Sequence, residues 1–294
     1  MNFLNRIIVF SFLFALFHVG YAQDNKPIFK SQKALGAIEN KELDELSGIL
    51  NAKQASYFWV HNDSGDRARI FLIDKKCRLR CTYELDAVKV VDCEDIARIE
   101  IDKKSFLILA DIGDNLAVRR NVKLYIFPEP EYKEGDASTI HIAQEQIRTI
   151  TLKYKDGSRD AEALFVDPID QQLYIISKRD FQSIVYKTSD FNPLKNNYVT
   201  LVPTQKLPFT FATAADISPS GNAIIIKNLT AIFYWERNPN ESVLQTLAKK
   251  TTVIPYDPEP QGEAITFDRD GTGFYTISES PFGLKSYLYF FEKQ

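Results

Sequence analysis

Apolar and polar positions alternate over short stretches along most of the chain, and apolar spacing of helical period is weak throughout. Five β-rich runs stand out because each ends in a polar tip: residues 57–63, 106–111, 173–179, 223–228 and 274–279. A short acidic idiom precedes each of them. Its copies are Asp44-Glu45-Leu46-Ser47-Gly48-Ile49, Asp92-Cys93-Glu94-Asp95-Ile96, Asp160-Ala161-Glu162-Ala163-Leu164 and Gln261-Gly262-Glu263-Ala264-Ile265, with a degenerate Thr213-Ala214-Ala215-Asp216-Ile217. Turn formers separate idiom from tip where a hairpin needs them, as in Asp167-Pro168-Ile169-Asp170, Ser218-Pro219-Ser220-Gly221 and Asp268-Arg269-Asp270-Gly271. A third β-rich run then follows, at residues 69–73, 122–127, 184–187, 232–236 and 286–291.

With Glu45, Glu94, Glu162, Asp216 and Glu263 as markers, the spacings are 49, 68, 54 and 47 residues, in the range of a four-stranded propeller blade with its loops. The longest interval holds its excess in residues 128–143, a proline- and charge-bearing stretch that reads as an insertion. Beyond Glu263 there is chain enough for three strands but hardly for four, so residues 28–38 are expected to supply the fourth and close the ring. The sequence therefore predicts an all-β fold, a five-bladed β-propeller closed by an N-terminal strand. A six-bladed ring with one unrecognised blade is the main alternative. A β-sandwich is disfavoured, because nothing in that fold asks for an acid at the same point of every repeat.

The first 22 residues follow a different pattern. Arg6, an apolar run over residues 7–17 and the small residues Gly20 and Ala22 come in the order of a secretory signal peptide. Residues 1–22 are thus expected to be removed, residues 23–294 to form one propeller domain, and the protein to be secreted or periplasmic; an N-terminal membrane anchor is the alternative. The apolar run is about half of the ~20 residues that span a bilayer, and no later stretch suffices, so no span is expected after cleavage. Net charge is −3 with lysines and arginines scattered, which leaves no electrostatic footprint for a nucleic-acid polymer or an anionic membrane. Cys77, Cys81 and Cys93 are an odd set, so at least one thiol stays unpaired, and a Cys77–Cys81 bridge needs a turn between them.

In a propeller the innermost strand of each blade lines the channel and the second runs antiparallel to it, so acidic idioms and polar tips should converge on one mouth. The tips supply His61, Asn62 and Asp63, then Asp111 with Asp114 and Asn115, then Lys178 and Arg179, then Lys227, and finally Glu279. With Glu45 these are the candidate ligand-binding residues. Carboxylates at this density require a cation, basic neighbours or proton uptake. Calcium suits them, since it takes about six to eight oxygen ligands, and Ser47, Glu94, Glu162, Thr213 and Glu263 would offer carboxylates and hydroxyls. Zinc is disfavoured: residues 23–294 hold only His61 and His141 and no paired histidine–cysteine spacing. Two other readings stay open. The acids could cap backbone amides or pair with Lys178, Arg179 or Lys227, or they could line a metal-free pocket. The expected partner is a small-molecule or protein ligand at this mouth.

There is no phosphate-cradling glycine loop, no Gly-x-Ser-x-Gly elbow and no His-Glu-x-x-His helix. The order Glu45-Leu46-Ser47, Glu94, Glu162, Thr213 and Glu263, each ahead of an inner hairpin, resembles the calcium-dependent apyrases, secreted five-bladed nucleotidases, over nearly all of residues 23–294. That resemblance implies a channel calcium held by Ser47, Glu94, Glu162, Thr213 and Glu263, and likens Lys178-Arg179 to the family's basic pair after the third hairpin. Gly48 stands where the family has a second acid after the serine, Thr213 replaces a serine, and Asn62-Asp63-Ser64-Gly65 only loosely matches its arginine-bearing acidic turn. This last motif, with Asp92-Cys93-Glu94-Asp95-Ile96 and Asp111-Ile112-Gly113-Asp114-Asn115, also resembles an uncharacterised group of secreted bacterial propeller proteins, which implies a fold and no activity. Two functions are expected. One is a calcium-bearing ligand- or partner-binding protein, favoured because the phosphate contacts are incomplete. The other is an apyrase- or phytase-like hydrolase of phosphate esters or anhydrides, with the metal and Lys178-Arg179 stabilising phosphoryl charge.

Overall fold

The computed structural model describes residues 27–294, so the proposed signal peptide lies outside the described residues. β1 (Lys33–Ala37) comes first in the chain and belongs to the last blade. The first blade runs outward from the axis as β2 (Leu46–Asn51), β3 (Tyr57–Asn62), β4 (Arg69–Asp74) and β5 (Leu79–Leu85). The second holds β6 (Cys93–Ile101), β7 (Lys104–Asp111) and β8 (Val122–Pro128). The chain then leaves as β9 (Thr139–Ile142), which adds in parallel to the outer edge of β5, and returns as the fourth strand, β10 (Arg148–Tyr154). The stretch read as an insertion thus gives the first blade a fifth strand.

β11 (Ala161–Val166), β12 (Leu173–Ser177), β13 (Ile184–Thr188) and β14 (Asn197–Lys206) make the third blade. β15 (Ala212–Ile217), β16 (Ala223–Asn228), β17 (Ile232–Glu236) and β18 (Thr252–Ile254) make the fourth, with a short capped helix, α1 (Val243–Leu247), before β18. The fifth blade has β19 (Ala264–Phe267), β20 (Gly273–Ile277) and β21 (Tyr287–Glu292), and β1 completes it by pairing antiparallel to β21. An outer bridge from Phe29 to Lys293 extends the closure, and the Phe29 ring sits edge-on to Tyr234 and Phe274 at 5.2 and 4.9 Å. This is a β-propeller whose ring is closed by an N-terminal strand. The second and third blades also touch at their outer edges, where β10 and β14 pair in parallel.

Tight inner hairpins follow from the turn residues. Between β6 and β7 both Asp102 and Lys103 have positive φ, 49° and 63°, the mirror-image turn whose twist matches paired strands. Ser218-Pro219-Ser220-Gly221 and Asp268-Arg269-Asp270-Gly271 close on the N–H of a left-handed glycine, donated to Ser218 and Asp268 carbonyls at 2.7 and 3.1 Å. The core divides in the same way as the ring: one apolar cluster fills each interface between successive blades. Trp59, Tyr83 and Phe127 pack between the first and second, and Phe58, Tyr275 and Leu288 between the fifth and first. The second strands β3 and β16 are buried on both faces between neighbouring blades, which is why they read as nearly continuous apolar runs. The three cysteines are buried and unpaired, so no Cys77–Cys81 bridge forms.

Candidate functional site

The inner strands share an irregularity that decides the site. Each pairs with its second strand in register except near its start, where β2 slips between Leu46 and Gly48, β6 between Cys93 and Asp95, β11 between Ala161 and Ala163, and β15 between Ala212 and Ala214. The residue left over is Ser47, Glu94, Glu162 and Thr213 in turn. The fifth blade does the same: Gln261 carbonyl accepts from Glu279 N–H at 3.3 Å and Ala264 pairs with Ile277, so Glu263 falls in the slip. A bulged residue is unpaired and bends its strand, which re-aims its side chain. All five are buried. Glu45 and Asp216, used as repeat markers in the sequence, are not the equivalents of Glu94; Ser47 and Thr213 are.

Around this mouth the carboxylates meet in overlapping groups. Ligand atoms of Asp63, Asp92 and Glu94, of Asp63, Glu263 and Glu279, and of Glu94, Asp160 and Glu162 lie within 4.8 Å of one another in each set. Asp63, Lys178 and Glu279 stand at the same offset in the first, third and fifth blades, each donating its N–H to the carbonyl of the residue two before the bulged one. Lys178 Nζ donates to Glu162 Oε1 and, at 3.2 Å, to Glu263 Oε1. Burial alone would lower its ammonium, but Glu162 and then Glu263 more than reverse this and hold it above its usual range. Ser47 Oγ donates to the Glu94 carbonyl at 3.1 Å and lies 3.5 Å from Glu94 Oε2, while Thr213 Oγ1 donates to the Gly262 carbonyl.

One ammonium does not balance this group. Burial, and then the neighbouring Glu162, Asp63 and Asp92, push the Glu94 carboxyl well above its ordinary range. Burial raises Asp63 to about 6, and burial followed by Glu263, Asp63 and Glu45 raises Glu279 to about 8. Glu162 Oε2 and Asp63 Oδ1 are buried with no hydrogen-bond partner among the described residues. The backbone leaves room for the Glu94 and Asp92 carboxylates at Gly113, where a Cβ would come within 2.1 Å of Glu94 Oε1 and 2.5 Å of the Asp92 carboxyl carbon. An all-oxygen donor set with orphaned buried oxygens suits a hard divalent cation.

The other predicted residues take different places. His61 and Lys227 occupy equivalent positions on β3 and β16, beneath the ring. His61 is buried under Gly48, with Nδ1 2.9 Å from the Asn62 carbonyl, and burial drops it to about 4. Lys227 donates to the Gly262 carbonyl and lies 4.6 Å from the Tyr256 ring centre, its ammonium lowered by burial to about 8. Asn62 donates to the Glu42 carbonyl and to Asp66, and Glu45 is exposed on the rim. Asp111 accepts from Asp92 N–H at 3.0 Å and from Arg119 at 2.7 Å. Asp114 accepts the Val118 and Arg119 N–H groups and shapes their loop. Arg179 donates to Asp160 at 2.6 Å and to Asn115. Sequence reasoning left Asp92 and Asp160 out of the site although both lie in the idioms. They stand two residues before Glu94 and Glu162, a shared Asp-x-Glu spacing that becomes visible once the bulges set the alignment.

No protein-family model matches the chain, and no curated protein does. Among solved structures, it is similar to the structure of the Neurospora crassa Pan2 WD40 domain, with a TM-score of 0.46 and 10% sequence identity over 90% of this chain and 96% of that one. Among the described residues, no helix is long and apolar enough to cross a membrane.

Proposed function

We propose that this is an exported binding protein whose bulged channel mouth holds a calcium ion and, with it, a ligand or partner. The observation that carries the reading is the pair of buried, partnerless carboxylate oxygens, Glu162 Oε2 and Asp63 Oδ1, within an all-oxygen cluster that one lysine cannot neutralise. Asp63, Asp92, Glu94, Asp160 and Glu162 would supply carboxylates, with Ser47 adding a hydroxyl beside Glu94. Glu263 is drawn toward Lys178 and Thr213 toward a carbonyl, so their part is to complete the ring. The order of the ring residues, resembling that of calcium-dependent apyrases, supports the same metal. The signal-peptide pattern of the first 22 residues supports export.

Binding is favoured over phosphate-ester hydrolysis because the two cations that would face a phosphoryl group are engaged. Lys178 is held by Glu162 and Glu263, and Arg179 by Asp160 and Asn115. Large apolar side chains are exposed on loops at this same end of the blades, with Leu116 at 81% and Phe181 at 99% exposure, and Val91, Phe211 and Leu284 also uncovered. An acidic mouth flanked by exposed apolar groups suits a macromolecular partner. The test is thermal: calcium at about a hundred times Kd should add roughly 2.7 kcal/mol to the stability of chelator-treated protein. Glu162→Gln should remove most of that increment, and identical melting with calcium and with chelator would refute the metal.

A further inference from the structure

At the opposite end of the channel, the last residues of the five inner strands enclose a cavity of about 430 Å³, within the size range of small-molecule sites. Leu50, Ile99, Val166, Ile217 and Phe267 give it an apolar side, and polar side chains, among them Asn51, Arg98, Lys103, Gln171 and Arg269, line the rest in about equal measure. Cross-strand bonds hold that wall in shape. Asp216 on β15 accepts from Phe267 N–H and Thr266 Oγ1 on β19 at 2.8 and 3.0 Å, and Asn51 on β2 donates to the Phe267 carbonyl at 2.7 Å.

The polar groups left available to an occupant include donors on two arginines, beside the acceptor Gln171 Oε1, which has no partner among the described residues. Arg98 directs Nε and Nη2 to Glu129, Ser105 and the Asn51 carbonyl, and its Nη1 has no protein partner among the described residues. Arg269 makes one bond, from Nη1 to the Ala52 carbonyl at 3.2 Å, and its Nε and Nη2 are free among the described residues. The acids at this end compete little. Asp216 already accepts from Ile217 and Phe267 N–H and from Thr266, and Glu100 is exposed on the rim.

We propose that this cavity binds a small organic anion, with an apolar body against the five-residue wall and a carboxylate- or sulfonate-sized head on Arg98 and Arg269. A guanidinium edge matches the two oxygens of such a head, and a preformed wall needs little ordering on binding. The site is independent of the calcium reading and lies at the other mouth. The probe is 8-anilino-1-naphthalenesulfonate followed by fluorescence on the folded protein, with decanoate as competitor. The expected result is saturable, blue-shifted emission that decanoate displaces. Arg269→Glu, at an exposed position, should weaken the affinity roughly tenfold or more with an unchanged melting curve. Val166→Trp should fill the cavity and abolish binding. Absence of saturable binding in the wild-type protein, or an affinity that Arg269→Glu leaves unchanged, would overturn the proposal.

Discussion

The two mouths of the channel are made by opposite ends of the same five strands, and they differ in nearly every chemical respect. Where the strands begin, each carries one residue too many for its partner, and that residue turns inward as Ser47, Glu94, Glu162, Thr213 or Glu263. Where they end, pairing is regular, the channel wall mixes apolar side chains with polar ones that include two arginines, and aspartate and asparagine side chains bind backbone of the neighbouring blade. Asp95 shows the same regular role halfway along: it is buried, and accepts Leu164 N–H of the neighbouring inner strand at 2.9 Å. An acid in register thus serves the ring as a staple, whereas an acid in a bulge is left without backbone to bind and must find a cation. The difference between a strand-stapling carboxylate and one proposed to bind a cation is here one residue of register.

The comparison is broken most severely at Lys178. Lys178→Met leaves Glu162 and Glu263 buried without their ammonium and should cost about 3–5 kcal/mol in chelator, measured by urea unfolding. Calcium should restore part of this loss. A loss of the same size with and without calcium would mean that metal and ammonium do not draw on the same carboxylates.

Next in size is His61, buried neutral beneath the acidic mouth. Its folded value near 4 lies below the unfolded 6.5, so above pH 6.5 it contributes no pH dependence. As pH falls from 6.5 to 4 the unfolded chain takes up the proton first, and stability should fall by roughly 3 kcal/mol. Carboxylates with raised values act in the opposite direction over that window. The measurement is therefore the difference between wild-type and His61→Gln pH profiles, and parallel profiles would show that His61 is not buried neutral.

Gly48→Ala places a Cβ 2.1 Å from His61 Nε2 and should destabilise by about 1–3 kcal/mol, read from the denaturant midpoint. Arg269→Glu at the far mouth should change stability by no more than about 0.5 kcal/mol and leave calcium affinity unaltered, which separates the two ends.

Much of the fold could be read from the chain because each blade repeats the same local signals. Turn residues such as Ser218-Pro219-Ser220-Gly221 and the runs that end in polar tips mark the hairpins, and the shortage of chain after Glu263 identifies the closing strand. Which acid of each idiom faces the mouth is less legible. An acid in sequence looks the same whether it faces the axis or staples a strand: Asp216 marks the repeat spacing of a blade whose channel residue is Thr213, and its own role shows only in its hydrogen bonds to Phe267 and Thr266. Asp92 and Asp160 went unselected because the Asp-x-Glu spacing has meaning only when Glu94 and Glu162 are known to be bulged. His61 and Lys227 were legible as strand-end residues, but their depth depends on Gly48 and Gly262, whose missing side chains make the space they fill. The parallel pairing of β9 with β5, which joins residues far apart across the insertion, leaves no local trace at all.

The most direct test of the proposed cation site is a calorimetric titration of chelator-treated protein with calcium chloride, for the wild type and for Glu94→Gln. Glu94, like Asp63, is shared by two of the carboxylate groups, and it is the one touched by Ser47. The account predicts saturable calcium binding to the wild type, weakened at least about tenfold by the loss of that single charge while the fold persists. Absence of calcium binding, or equal affinity in the two proteins, would contradict it.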